Sequence, residues 1–212
     1  MAIISSTEIC KLSLDLLQGG SVSDITSATT SMTSIEEVCN RWYDHTRRKL
    51  LRQHPWNFAI KRAELAASDT APLFGATAQF PVPADFLRLL RVVDEDNRII
   101  SSDAYFFENR QLMLRWAEDD VARIIYITDE EDVTKFDDLF VDLLAVEIAM
   151  SIAYLVTQNN SNIERLASIR KTLISAAKSI AGQEQPPESR RASINRMARR
   201  SLGVFNTTRH EF

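Results

Sequence analysis

The sequence predicts an α+β fold: an antiparallel helical bundle that carries a small antiparallel β-sheet insertion and ends in an extended C-terminal arm. Three observations predict it. Apolar residues recur at helical spacing as far as about residue 53, switch to a strand-like pattern from Phe80, and return to helical spacing at Phe136. The helical segments at the two ends of the chain can bury their stripes only against each other, across the insertion. From Gln183 onwards the large apolar residues thin out and arginine takes over. The expected organisation is a body over 1–182, with the bundle formed by 1–78 and 129–182 and the β insertion by 79–128, followed by an arm over 183–212.

The first helix is expected over 5–18. Ser5, Ser6 and Thr7 supply capping oxygens, Glu8 sits in the electropositive first turn, and Ile9, Leu12, Leu16 and Leu17 form a stripe that Gly19-Gly20 ends. The second runs over 34–53. Ser34-Ile35-Glu36-Glu37 has the pattern of a capping box, and Val38, Cys39, Trp42, Thr46 and Leu50 follow at helical spacing. Pro55 drives His54 out of the helical region, so His54-Pro55-Trp56-Asn57-Phe58 reads as a corner where two aromatic rings plug the core. A short helical or extended piece follows over Ala59–Ala67, then a connection over Ser68–Ala78 punctuated by Pro and Gly.

Phe80-Pro81-Val82-Pro83 must be extended, because each residue before a proline is pushed towards β. Strands are expected at 86–93, 98–100, 112–116 and 123–127, joined in one small sheet, with turns at 94–97 and 117–121. Two helices close the body, over 136–158 and 161–181. The first is apolar on most sides and therefore central. Gly182 is the expected stop of the second. Trp42, Leu143 and Leu173 are the expected core representatives of their helices.

The charge distribution is uneven. The 212-residue chain carries a formal charge of −4, yet Gln183–Phe212 holds six arginines and three acids, against 19 bases and 26 acids in the preceding 182 residues. Arg190, Arg191, Arg196, Arg199, Arg200 and Arg209 are spread along the arm, which suits docking on an acidic partner. A segment this poor in large apolar residues does not offset its own ordering entropy, so it is expected to order only against a partner.

Whole-surface nucleic-acid binding is disfavoured by the net charge. No apolar run approaches the ~20 residues that span a bilayer, and no signal-peptide pattern opens the chain. Cys10 and Cys39 fall on apolar helix faces and read as buried free thiols of a protein made in the cytosol. His45, His54 and His210 have no zinc-site spacing, and neither metal nor cofactor is expected. No nucleophile elbow, metalloprotease helix or glycine-rich phosphate loop occurs. Two charged groups remain. Glu118–Asp142 contains ten acids, which could work as acid–base pairs, hold a cation or line a pore, but read best at Asp129–Asp132 and Asp137–Asp138 as a solvated turn and a helix N-terminus. Arg41, Arg47, Arg48, Lys49 and Arg52 form an expected exposed face that could meet phosphate or a neighbouring acidic subunit.

The run Cys39-Asn40-Arg41-Trp42-Tyr43-Asp44, then Arg47 to Leu51, His54 to Ala59 and Arg62 to Leu65, resembles the tail tubular protein A family, the head-to-tail adaptors of short-tailed bacteriophages and prophages. Pro81 to Val92 is similar to the segment that opens that family's β region, and Phe136-Asp137-Asp138-Leu139-Phe140 before an alanine-rich helix also matches. The resemblance covers about residues 5–180, and its order and spacing carry more than any one piece. It implies a structural, non-enzymatic ring of twelve copies in the virion, joining the portal protein to the tail nozzle (a tail tubular protein B-like partner) and continuing the channel through which genomic DNA passes. On that reading Arg190, Arg191, Arg196, Arg199 and Arg200 meet the portal, and Arg41, Arg47 and Arg48 lie between subunits. The runner-up is a nucleic-acid-binding protein that uses the arm and the basic helix face. A hydrolase with an acidic site is a third class.

Overall fold

The computed structural model describes residues 5–17, 34–115, 121–157 and 161–184. Four helices and two small antiparallel sheets make a mixed α+β fold. In chain order these are α1 (Ser6–Asp15), α2 (Ser34–Gln53), β1 (Ile60–Ala66), β2 (Ala78–Pro81), β3 (Phe86–Val93), β4 (Tyr105–Glu108), β5 (Gln111–Leu114), β6 (Val121–Thr128), α3 (Asp138–Thr157) and α4 (Ser161–Glu184). Single 3-10 turns at Asn57–Ala59 and Val133–Lys135 lead into β1 and towards α3.

Helix α3 is the hub, because α1, α2 and α4 all pack against it. That is the expected consequence of a helix with apolar side chains almost all round. Phe140, Leu144, Ile148 and Ile152 on α3 are fully buried with Ile9 and Leu14 of α1, Leu50 and Leu51 of α2, and Leu166 of α4. Leu143 belongs to this core, whereas Trp42 and Leu173 are half-buried and pack against its edge. Local signals start the helices. Ser5 Oγ accepts from Glu8 N at 3.3 Å, and Asp137 Oδ1 accepts from Leu139 N at 3.2 Å to cap α3.

The end of α2 accounts for its corner. Leu50 and Arg52 are among the last four residues, whose carbonyls have no partner inside a helix. Trp56 Nε1 donates to Leu50 O at 3.1 Å and Arg88 Nη1 donates to Arg52 O at 2.5 Å. The Trp56 ring then meets Phe140 edge-on at 4.9 Å between centroids, and Phe140 also packs edge-on against Phe58 and Phe136. The corner thus ties α2 to both α3 and the sheet.

The strands form two sheets, not one. Their orders are β1-β6-β3 and β2-β5-β4, with every neighbouring pair antiparallel. The sheet region begins at Ile60 rather than at 79, because the extended piece after the corner pairs along its whole length with β6. Its outward residues Lys61, Arg62 and Glu64 hide the strand alternation, as suits an edge strand. Strand β4 was absent from the expected set. It forms a hairpin with β5 through Asn109 (φ 46°) and Arg110 (φ 57°), the two left-handed positions of a type I′ turn. Arginine is an unusual occupant there, and its Nη2 donates to Pro83 O and Ala84 O at 3.1 and 3.2 Å. In place of a strand at 98–100 there is a single bridge between Val93 and Ile99.

Two register shifts in β3, between Phe86 and Arg88 and between Leu89 and Arg91, turn the strand over. Leu87 and Leu90 thereby face the helical core, while Phe86, Leu89 and Val92 join a second core with Phe80, Leu112 and Tyr126.

Helix α4 passes through Gly182 and reaches Glu184. Glycine in a helix costs only about 1 kcal/mol relative to alanine, and Asn57 Nδ2 donates to Glu184 Oε2 across the last turn. Gly19-Gly20, most of the acidic turn 117–121 and the whole arm from 185 lie outside the described residues, as do the side chains of the Ser34–Glu36 capping pattern.

Candidate functional site

The arginine-rich part of α2 does not form one solvated face. Arg47 is buried, with its side chain 1% exposed. Its Nη1 donates to Asp129 Oδ1 at 2.6 Å and to Glu130 O at 2.5 Å, and its Nη2 lies 3.4 Å from Asp44 Oδ1 and 3.7 Å from Glu131 Oε1. The helical spacing that predicts exposure was correct for a helix alone. The segment joining β6 to α3 folds over that side of α2 and supplies the anions. Arg47 is therefore an anchor within the subunit, and its side chain is not on offer to a neighbour. Asp129 and Glu130 are corrected with it: they are not a solvated turn. Asp129 also receives Arg48 Nε at 2.7 Å, and buried Glu130 receives Lys135 Nζ at 3.1 Å. Asp132 and Asp137 accept from the backbone N–H groups of Thr134 and Leu139.

Lys49 reaches a second internal hub. Glu147, on buried α3, accepts from Lys49 Nζ at 3.0 Å and from Arg170 Nε of α4, so one carboxylate links three helices. Of the five cations expected on the face, Arg41 and Arg52 carry no ion pair among the described residues. Arg41 is exposed, and Arg48 is 55% exposed despite its bond to Asp129. The arginines of the arm, Arg190, Arg191, Arg196, Arg199 and Arg200, lie outside the described residues.

A third polar cluster sits between β3 and β6. Asp85 accepts from Thr128 Oγ1 at 2.8 Å, from Tyr126 Oη at 3.1 Å and from Lys61 Nζ at 3.0 Å. Burial pushes the Asp85 carboxyl up, but the hydrogen bonds from Lys61, Thr128 and Tyr126 outweigh it and hold it below its usual value. Burial, with the Asp85 charge, pushes the Tyr126 phenol up to about 12. The Cys10 thiol is pushed up by its hydrogen bond with Cys39 and by burial, and both cysteines are buried free thiols. No group of His, Cys, Asp and Glu among the described residues could hold a metal ion, and no helix there is long and apolar enough to cross a membrane.

Two of the concave regions among the described residues bear on function. A hollow of about 720 Å³ on the β1-β6-β3 sheet has a mixed-charge wall, in which Arg123 pairs with Glu64 at 2.8 Å and approaches Glu95 at 4.0 Å. A groove of about 460 Å³ lies between the end of α2 and α4. Leu50, Trp56, Leu143 and Ile174 form its floor, and Lys171 and Lys178 stand on its rim. His54 also lines it. Its Nε2 is buried and has no hydrogen-bond partner among the described residues. Burial, then Lys178 and Arg88, hold the His54 imidazole below its usual pKa, so it is neutral at pH 7.

The opposite kind of feature caps the loop between β1 and β2. Leu73 is 96% and Phe74 87% exposed. Gly75 beside them has φ +81°, and a Cβ there would sit 3.8 Å from the Phe106 ring. Sequence reading passed over both groove and tip. The tip had a signal: two large apolar residues between a proline and a glycine, where loops are normally polar. The groove had none, because its residues come from separate helices. No family model matches the chain, and a search of the curated proteins finds no match.

Proposed function

We propose that this chain is a structural head-to-tail adaptor of a short-tailed phage virion or a related prophage, and not an enzyme. On this reading a helical bundle carries the sheets and an extended C-terminal arm. Twelve copies form a ring that joins the portal to the tail nozzle and continues the DNA channel, and the arm's arginines dock on the portal.

The observation that carries the reading is how the residues of the resemblance are used. Cys39, Tyr43, Arg47, Leu50, Leu51, Trp56 and Ala59 are all buried, and they build the joint between helices and sheet. A run devoted to rigidity suits a ring subunit that must transmit load from head to tail. Four of the acids between Asp129 and Asp137 have structural uses, which fits a structural role: Asp129 and Glu130 are bound to cations, Asp132 accepts from Thr134 N and Asp137 caps α3.

Nucleic-acid binding by the basic helix face draws less support, because Arg47, Arg48 and Lys49 are each bound to a carboxylate of the same subunit. The test is reconstitution. Full-length chain added to DNA-filled, portal-bearing heads that lack an adaptor should retain the DNA and recruit the nozzle. Heads that leak and stay tailless at saturating protein would refute the reading, and tight salt-dependent affinity for free DNA would favour the alternative.

A further inference from the structure

The exposed tip and the groove are complementary, and they belong to the same chain. The tip offers Leu73 and Phe74, with exposed Asp69 earlier in the same loop. The groove offers an apolar floor, two exposed lysines, and one buried ring nitrogen with no partner among the described residues. Its volume of about 460 Å³ falls within the ~300–1,000 Å³ of cavities that enclose a small organic group, which leaves room for two apolar side chains. Since Leu73 and Phe74 are almost wholly exposed, they do not occupy their own subunit's groove.

We propose that the Leu73-Phe74 tip of one copy seats in the groove between α2 and α4 of a second copy, with Asp69 facing Lys171 and Lys178. The proposal rests on the ring reading and supplies its subunit contact. Taken head to tail, one tip in one groove makes a heterologous interface, which closes into a ring or runs on as a filament, whereas two copies that exchange tips reciprocally would stop at a two-fold dimer. The contact also satisfies what the described residues of one subunit leave open. It removes a large apolar tip from water, and it gives the His54 nitrogen a partner, since the arriving loop brings the Thr70 hydroxyl. Repetition around a ring turns a small contact into a stable one.

The experiment uses full-length chain with a benzophenone amino acid in place of Phe74. Isotopically heavy and light preparations are mixed at the highest soluble concentration and irradiated. The expected product joins position 74 of one isotopic form to peptides containing residues 50–56 or 170–178 of the other. Products confined to one chain, products mapping elsewhere, or no product would overturn the proposal.

A second measurement uses exposed positions, so that folding is retained. Leu73→Asp with Phe74→Asp spoils only the tip, and Lys171→Glu with Lys178→Glu spoils only the groove. Alone, each should sediment as a monomer where the wild type forms larger species. Mixed, the two should stop at a one-to-one dimer, because one intact tip meets one intact groove and nothing remains to propagate. Assembly of either variant to wild-type size, or no dimer in the mixture, counts against the contact. A chain that passes both tests yet fails to close portal-bearing heads refutes the adaptor reading and leaves the contact standing. A tip variant that closes heads at normal yield refutes the contact and leaves the adaptor reading standing.

Discussion

Arg47 donates from Nη1 to Asp129 Oδ1 at 2.6 Å, so the middle of α2 is pinned to the residue that follows β6, 82 positions along the chain. The bond matters because both partners are withdrawn from water: Arg47 is 1% exposed and Asp129 12%. Removing one member of a buried ion pair strands the other, at a cost of about 3–5 kcal/mol. Arg47→Met should therefore cost a large part of that range in reversible urea unfolding. Asp129→Asn should cost less, since Arg47 retains Glu130 O and the nearby Asp44 and Glu131. The double variant should show a coupling within about 0.5–3 kcal/mol. Strict additivity would mean that the pair contributes nothing of its own.

Glu147 should respond differently, although it is just as buried. Its partners Lys49 and Arg170 are 46% and 31% exposed, so both cations can turn to water when the carboxylate is lost. Glu147→Gln should cost about 1–3 kcal/mol, the scale of a buried polar group that loses part of its hydrogen bonding. A loss above that of Arg47→Met would show that Glu147, and not Arg47, is the main polar anchor.

Leu143→Ala should destabilise by about 2–5 kcal/mol, because Leu143 is 2% exposed on the hub helix. Leu173→Ala should cost less, its side chain being half-buried. Equal losses in chemical unfolding would contradict the placement of α4 at the margin of the core.

These positions also show what the sequence makes legible. Leu143 was readable because periodicity reports which side of a helix is apolar, and α3 is apolar nearly all round. Leu173 was ranked too deep, because a stripe does not reveal how far a partner helix covers it. Arg47 was misplaced for a related reason. The local pattern marks it as polar, and only the tertiary return of Asp129 and Glu130 makes polar compatible with buried. Ala59–Ala67 reads equally as helix or strand, because its strand character comes from pairing with β6 and not from an alternation of its own. The bulges in β3 and the second sheet were illegible, since they are settled by which core each leucine can reach. The groove joins Leu50, Trp56 and Ile174 from three places in the chain, so no window of sequence contains it.

His54 sets a pH dependence. Burial, Lys178 and Arg88 hold its folded pKa below the ~6.5 of an unfolded histidine. As pH falls from 7, the unfolded chain takes up the proton first, so it binds more protons than the folded one and stability declines. The contribution is complete above pH ~6.5 and is lost as pH falls towards the depressed folded value. His54→Gln should flatten the stability profile as pH falls below ~6.5. Parallel profiles for the variant and the wild type would remove His54 from the acid response.

The arm prediction follows from where α4 ends. Because the helix continues to Glu184 and Asn57 is hydrogen-bonded to that residue, a clean deletion begins at 185 rather than 183. Lacking 185–212, the chain should keep its folded body and its unfolding midpoint, since the helices and sheets of the described residues are complete by Glu184. It should nevertheless fail to join portal-bearing heads. Replacing Arg190, Arg191, Arg196, Arg199 and Arg200 with Gln keeps the length and removes five positive charges. Docking should then weaken, and what remains should vary less with salt, because the guanidinium groups supply the screened, bidentate part of the attraction to acidic surfaces. The two variants separate charge from mere reach: if length alone matters, the glutamine arm docks normally and the deletion does not. Truncated chain that closes DNA-filled heads and recruits the nozzle at normal yield would move the portal contact off the arm and onto the body, where Arg41 and Arg48 are the exposed cations to test next.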